Sequence, residues 1–196
     1  MGLFGGISNL FLFENHINEN DVVLDFGCGG GFLLANLNCR KKTGIEINEI
    51  SRNYCLSQGI ECFEKIDSVE NESFDVIISS HCLEHTTSPY EYLEKIYTKL
   101  KKGGTLIVVV PTDSHKVNYK PNDINYHLYS FSPMNLGNLL DAVGFTEIEV
   151  KPIFHKWPPL YFKIQKVFGW KFFHWISILY GFFSLPNVQI KAIAKK

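Results

Sequence analysis

Val22-Val23-Leu24-Asp25-Phe26-Gly27-Cys28-Gly29-Gly30-Gly31 is the stretch that decides the fold. An apolar run ending in glycines predicts a buried strand over Val22–Phe26, and Phe32–Leu37 predicts a short helix directly after it. Gly27, Gly29 and Gly31 let the backbone turn sharply and approach a ligand, and the helix behind them offers free N–H groups to a carboxylate or phosphate. Glu46 lies 21 residues after Asp25, at the end of the next predicted strand, Thr43–Ile47. A carboxylate in that position accepts hydrogen bonds from ribose hydroxyls. Together these features predict an adenosine-type ligand at the carboxyl ends of the strands.

Outward from this turn, strands and helices alternate. Glu49–Gln58 predicts a helix stopped by Gly59, Ile60–Phe63 a third strand, and Phe74–Ser79 a fourth. Pro89 opens a helix that runs to Leu100 and closes on Lys101-Lys102-Gly103-Gly104. Thr105–Val110 is a fifth strand. The alternation implies βαβ units and a doubly wound, mostly parallel α/β sheet. Beyond it, Pro133–Val143 predicts a helix, and Phe145–Val150 a strand with an antiparallel partner at Val188–Ala194. On the amino-terminal side, the apolar spacing from Leu3 to Ile17 predicts one opening helix.

Gly27 and Gly29 also fit the first two positions of the dinucleotide fingerprint GxGxxG, but bulky Phe32 stands at the last one, which argues against NAD. The pattern D-x-G-x-G-x-G from Asp25 to Gly31 resembles instead the first motif of class I S-adenosylmethionine-dependent methyltransferases. FDVIISSHCLEH resembles the fourth-strand motif of that family, LKKGGTLIVVVP its post-helix motif and fifth strand, and LGNLLDAVGFTEIEV its closing helix and sixth strand. The motifs stand in the family's order over residues 22–151. NDINYHLYSFSP, within 112–133, is similar to a cap segment of methyltransferases encoded with bacterial surface-polysaccharide genes.

The resemblance implies a Rossmann-like sheet of seven strands with an antiparallel last strand, forming a single domain over 1–196. It implies S-adenosyl-L-methionine as cofactor. Asp25 would orient its methionine end, Gly27 and Gly29 would lie against the methionyl group, Glu46 would hold the ribose, and Ile47 would pack on adenine. Ile66 and Asp67 would border the adenine edge, although the loop between Phe63 and Phe74 is shorter than common versions. Ser79 and Ser80 would sit beside the sulfonium.

His81-Cys82-Leu83-Glu84-His85 formally matches HxxEH, a zinc-protease signature, but directly follows a predicted strand; no metal is expected there. His81 and His85 read equally as structural residues or as contacts at the mouth of the site. The segment 112–133 carries His115, Asn122, Asp123, Asn125, Tyr126, His127 and Tyr129, a set suited to a hydroxyl-rich ligand or to a solvated loop. An alcohol needs a base to lose its proton during methyl transfer. His127 is the first candidate, then His81, with Asp123 orienting the imidazole.

The net charge of −1 carries no basic excess and argues against a nucleic-acid partner. Five cysteines without a CxxC pair suggest free thiols in a reducing compartment. No signal peptide is expected at the amino terminus, and Gly6 stands where a myristoylation signal needs Ser or Thr, so a cytoplasmic location is expected. Residues 154–185 form an aromatic, basic insert with Trp157, Trp170 and Trp175. It reads as a helix packed on the sheet edge or at a subunit contact, or as peripheral contact with a membrane. The expected acceptor is a sugar or glycan-precursor hydroxyl, with a quinone-like phenol or lipid as the alternative. A cofactor-binding protein without catalysis and an NAD-linked oxidoreductase are the competing classes. The sequence does not define the oligomeric state.

Overall fold

The computed structural model describes residues 2–112, 118–184 and 189–196. One seven-stranded sheet organises the chain: β1 (Val22–Phe26), β2 (Lys41–Ile45), β3 (Glu61–Phe63), β4 (Phe74–Ser80), β5 (Leu100–Pro111), β6 (Thr146–Ile153) and β7 (Gln189–Lys195). The spatial order is β3-β2-β1-β4-β5-β7-β6. The first five strands are parallel, and β7 runs antiparallel to both of its neighbours. After β3 the chain crosses to the other side of β1, so the strand order reverses between β1 and β4. Ligands of open α/β sheets bind in the crevice at the carboxyl ends of such strands.

The helices are α1 (Leu3–Ser8), α2 (Phe32–Asn36), α3 (Glu49–Ser57), α4 (Pro89–Lys99), α5 (Pro133–Val143) and α6 (Tyr161–Phe183). Side chains cap three of them. Asn48 accepts from Ser51 N–H at the start of α3, Ser88 accepts from Glu91 N–H in α4, and Ser132 forms a capping box with Asn135 in α5. Both faces of the sheet are covered. Leu24, Ile77, Leu106, Leu93, Ile96 and Leu136 anchor one apolar cluster. Val23, Ile78, Ile107, Leu33, Leu34 and Phe13 anchor the other.

Three elements differ from the expected ones. The opening segment is not one helix to Ile17: α1 ends at Ser8, and 3-10 turns cover Leu10–Leu12 and Glu14–His16. Gly5 and Gly6 weaken helix propagation, and Gly6 is buried against the Phe32 backbone, where a Cβ would come within 2.6 Å. Lys101–Gly104 does not merely close α4 but is the first part of β5. The ladder shifts register between Phe74 and Val76, and Gly103 stands at φ +76° on the opposing strand. The aromatic insert forms α6, which is broken at Gly169, where φ is 78° and ψ 177°. Among the described residues, no helix is long and apolar enough to cross a membrane.

Candidate functional site

The site begins where β1 ends. Gly27 takes φ +84°, and a Cβ on it would lie 2.5 Å from the Cys82 Cβ, so the turn and the loop after β4 meet only because that Cβ is absent. Gly29 takes φ +54°, and a Cβ there would meet nothing within 4 Å. That open space lies beside the turn where the sequence places the ligand. Gly29 N–H donates to Glu46 Oε2 at 2.8 Å, and Asn48 N–H donates to Glu46 Oε1 at 2.7 Å. Arg52 reaches over the same segment and donates to the carbonyls of Glu46 and Ile47. The Glu46 carboxylate is therefore turned to the glycine bend and fixed there. The Ile47 side chain, 80% exposed, is available to a flat ring.

Asp25 lies on the central strand with 2% exposure, and its Oδ1 has no hydrogen-bond partner among the described residues. Burial, with smaller contributions from Cys55 and Glu46, pushes its carboxyl up to about 8. An orphaned carboxylate of this kind costs free energy until a cation or donor reaches it. Ser80 Oγ is likewise buried and unpartnered, whereas Ser79 Oγ donates to the Phe26 carbonyl at 3.0 Å. These residues fit a ligand with an ammonium group, hydroxyls and a flat base. The Ile66 side chain is inside the core at 2% exposure, and Asp67 is ion-paired with Lys95 at 2.7 Å, which lowers its pKa. The 3-10 turn Ile66–Ser68 docks onto α4 through this ion pair.

The histidines gather around a residue that the sequence reading passed over. Glu84 is completely buried, and neither carboxylate oxygen has a hydrogen-bond partner among the described residues. His81 Nδ1 lies 3.6 Å and His85 Nε2 3.8 Å from Glu84 Oε1. The His127 ring stands 5.0 Å from that of His85. Ligand atoms of Glu84, His85 and His127 lie within 4.8 Å of one another, close enough to hold a cation. The cap is tied to the same residue, since Leu128 and Tyr129 N–H both donate to the Glu84 carbonyl and Tyr129 OH donates to the Thr87 carbonyl. His81 itself takes φ +52°, a conformation that costs a non-glycine residue about 1 kcal/mol and clusters at functional sites. The segment is a strand end and a single 3-10 turn, Leu83–His85, so the helix that HxxEH chemistry needs is not formed. Asp123, the residue expected to orient His127, lies in the cap segment. Its Oδ2 accepts from Tyr126 N–H, as a turn residue does, and the carboxylate beside the histidine cluster is Glu84. His115 lies outside the described residues.

All five cysteines are free, and Cys28, Cys55 and Cys62 are buried together beneath the glycine turn, with Cys28 Sγ 3.6 Å from Cys62 Sγ and 4.0 Å from Cys55 Sγ. Burial pushes the Cys62 thiol up to about 12, whereas the hydrogen bond with Cys28 lowers Cys55.

With this geometry in place, comparison with known proteins is decisive. Residues 6–150 match the methyltransferase domain family. The chain belongs to that family. Its cofactor is S-adenosylmethionine, which the open gap, Asp25 and Glu46 fit. Among curated relatives, the chain is similar to a ubiquinone biosynthesis O-methyltransferase of Idiomarina loihiensis, 25% identical over 70% of this chain and 67% of that protein. It is also similar to a tRNA U34 carboxymethyltransferase of Pseudoalteromonas translucida, 26% identical over 66% of this chain; the matched stretch spans under half (46%) of that relative's length. Among solved structures, an S-adenosylmethionine-dependent methyltransferase from Archaeoglobus fulgidus superposes with a TM-score of 0.69 at 19% identity, covering all of this methyltransferase chain and 95% of the other.

Proposed function

We propose that this methyltransferase O-methylates a hydroxyl group of a small molecule. The observation that carries the reading is the buried, unpartnered Glu84 carboxylate beside His81 and His85, with His127 adjoining, at the carboxyl end of β4. S-adenosylmethionine supplies the electrophilic methyl group when bound, and the protein supplies position and electrostatics. Asp25 accepts from the ammonium of the methionine end, and Glu46 accepts from the ribose hydroxyls. Ile47 packs against the base. His127 takes the proton of the acceptor hydroxyl, and Glu84 stabilises the positive charge that the imidazole cluster gains. The orienting part expected of Asp123 passes to Glu84.

Within hydroxyl acceptors, a phenol of the quinone-precursor type ranks first. A phenol ionises near pH 10 and an alcohol far above it, so a histidine base matches the phenol better. The likeness to ubiquinone biosynthesis O-methyltransferases points the same way. A sugar hydroxyl is the second reading, favoured by Asn122, Asp123, Asn125 and Tyr126, which the cap leaves exposed. The deciding experiment is a turnover assay with S-adenosylmethionine against a catechol and a panel of sugar nucleotides, after calorimetry has measured cofactor binding. Methylation of the catechol alone supports the first reading and of a sugar alone the second. Cofactor binding with no hydroxyl methylated in either class sinks both.

A further inference from the structure

The insert buries one side of α6 and leaves another apolar side in water. In its second arm, after Gly169, Phe173, Ser177 and Gly181 are buried at four-residue spacing. Gly181 lies against the backbone of Phe154 and His155, where a Cβ would come within 2.8 Å. The first arm and the start of the second close over Phe4 of α1, whose ring meets Trp157, Tyr161, Phe162, Trp170 and Phe173 at 4.9 to 6.0 Å. That side fixes the helix to the domain.

On the opposite side, Phe172, Trp175, Leu179 and Phe182 recur at three- and four-residue spacing and are 40%, 58%, 42% and 58% exposed. At 100° per residue they fall in one sector, facing away from Phe173, Ser177 and Gly181. Phe183 at 77% and, in the first arm, Val167 at 70% and Phe168 at 62% extend the apolar surface. Isolated exposed apolar residues need no explanation, but a contiguous aromatic stripe of this size marks an interaction surface.

Charge selects the partner. Residues 154–184 contain Lys156, Lys163, Lys166 and Lys171 and no aspartate or glutamate. Two copies of this basic segment carry like charge, which opposes their association. An anionic surface would instead be attracted. Because no described helix is both long and apolar enough to cross a bilayer, the geometry fits a helix lying in the headgroup region with its aromatic stripe buried in the acyl boundary. We propose that the exposed face of α6 binds the surface of an anionic lipid bilayer. This inference rests on α6 alone and stands whatever acceptor the site methylates.

The test is flotation of the purified chain with vesicles of phosphatidylglycerol and phosphatidylcholine, compared with phosphatidylcholine alone, beside sedimentation velocity without lipid. Binding to anionic vesicles is expected, lost at least tenfold in the Trp175→Ser/Phe182→Ser variant and weakened by salt and by Lys163→Glu/Lys166→Glu. Both pairs of substitutions are on exposed residues, and circular dichroism checks that the variants fold. Failure to float with anionic vesicles at low salt overturns the proposal. So does a lipid-free dimer that the Trp175→Ser/Phe182→Ser variant dissociates, because the stripe is then covered by a second copy. Neither outcome depends on turnover, so the proposed O-methylation is tested separately.

Discussion

Glu46 accepts a hydrogen bond from the backbone of Gly29 at 2.8 Å, which joins the end of β2 to the bend after β1. One carboxylate thus shapes the glycine turn, and on the proposed reading it offers its remaining lone pairs to a ribose. Glu46→Ala should lower S-adenosylmethionine affinity by about 10- to 100-fold, the range expected when charge-assisted hydrogen bonds are removed. Calorimetry checks it; unchanged affinity would mean that the ribose lies elsewhere.

Asp25 predicts a pH dependence. Its folded-state carboxyl is raised to about 8 from an ordinary value of 3.8, chiefly by burial. Its contribution to stability is therefore fully present below about pH 4 and is lost as pH rises through 8. Asp25→Asn removes that loss. Above pH 8 the variant should melt on the order of 5 °C higher than the parent, while losing cofactor binding. Thermal melts between pH 5 and 9 measure the first effect and calorimetry the second.

Gly27→Ala should destabilise the fold by roughly 2–3 kcal/mol, because the added methyl group meets the Cys82 side chain and the backbone keeps φ +84°. Gly29→Ala meets no atom within 4 Å and should instead lose cofactor affinity with a smaller stability change. Urea denaturation of both variants, paired with calorimetry, separates the two roles.

His155 Nε2 lies 3.1 Å from His174 Nδ1, so the end of β6 holds α6 through a histidine pair beside the Phe11 ring. Burial depresses His155 to about 4 and lowers His174 as well. The stability this pair contributes is present above about pH 6.5 and is lost as pH falls through 4. Tryptophan fluorescence should report loosening of α6 in that window, with a flatter profile for His155→Leu. A wild-type signal constant from pH 7 to 4 would refute the assignment.

Glu84→Gln keeps the shape of the buried site and removes its charge. Turnover should fall by about 10²-fold or more with little change in cofactor affinity, the signature of lost base catalysis. A parallel loss of cofactor affinity would assign Glu84 to cofactor placement instead.

Much of the parallel sheet was legible because each strand is a short apolar run bounded by glycine, proline or a capping side chain, and those signals are local. Asp25, Glu46 and the glycines were legible for the same reason, since one turn and one register set the distance between them. Glu84 was hidden. Its sequence neighbours suggested a metal motif, and its importance comes from complete burial beside two histidines, which only the meeting of the β4 loop with the cap produces. The burial of Ile66 and the ion pair of Asp67 with Lys95 were not legible, because how a 3-10 turn docks depends on packing, not on spacing. The shortened α1 reflects the same limit, since Gly6 is chosen by its contact with Phe32 rather than by helix preference.

Strand β7 comes after both β5 and β6 in sequence yet lies between them. During synthesis, every residue of the glycine bend emerges from the ribosome early, while the gap in the sheet stays open until residues 189–195 appear. Ile190, Ala192 and Ala194 then close it with side chains almost wholly removed from water. A nascent chain therefore carries two unpaired ribbon edges until β7 is made. Premature stalling just short of Gln189 would leave an aggregation-prone product, with its first half already shaped to receive the cofactor.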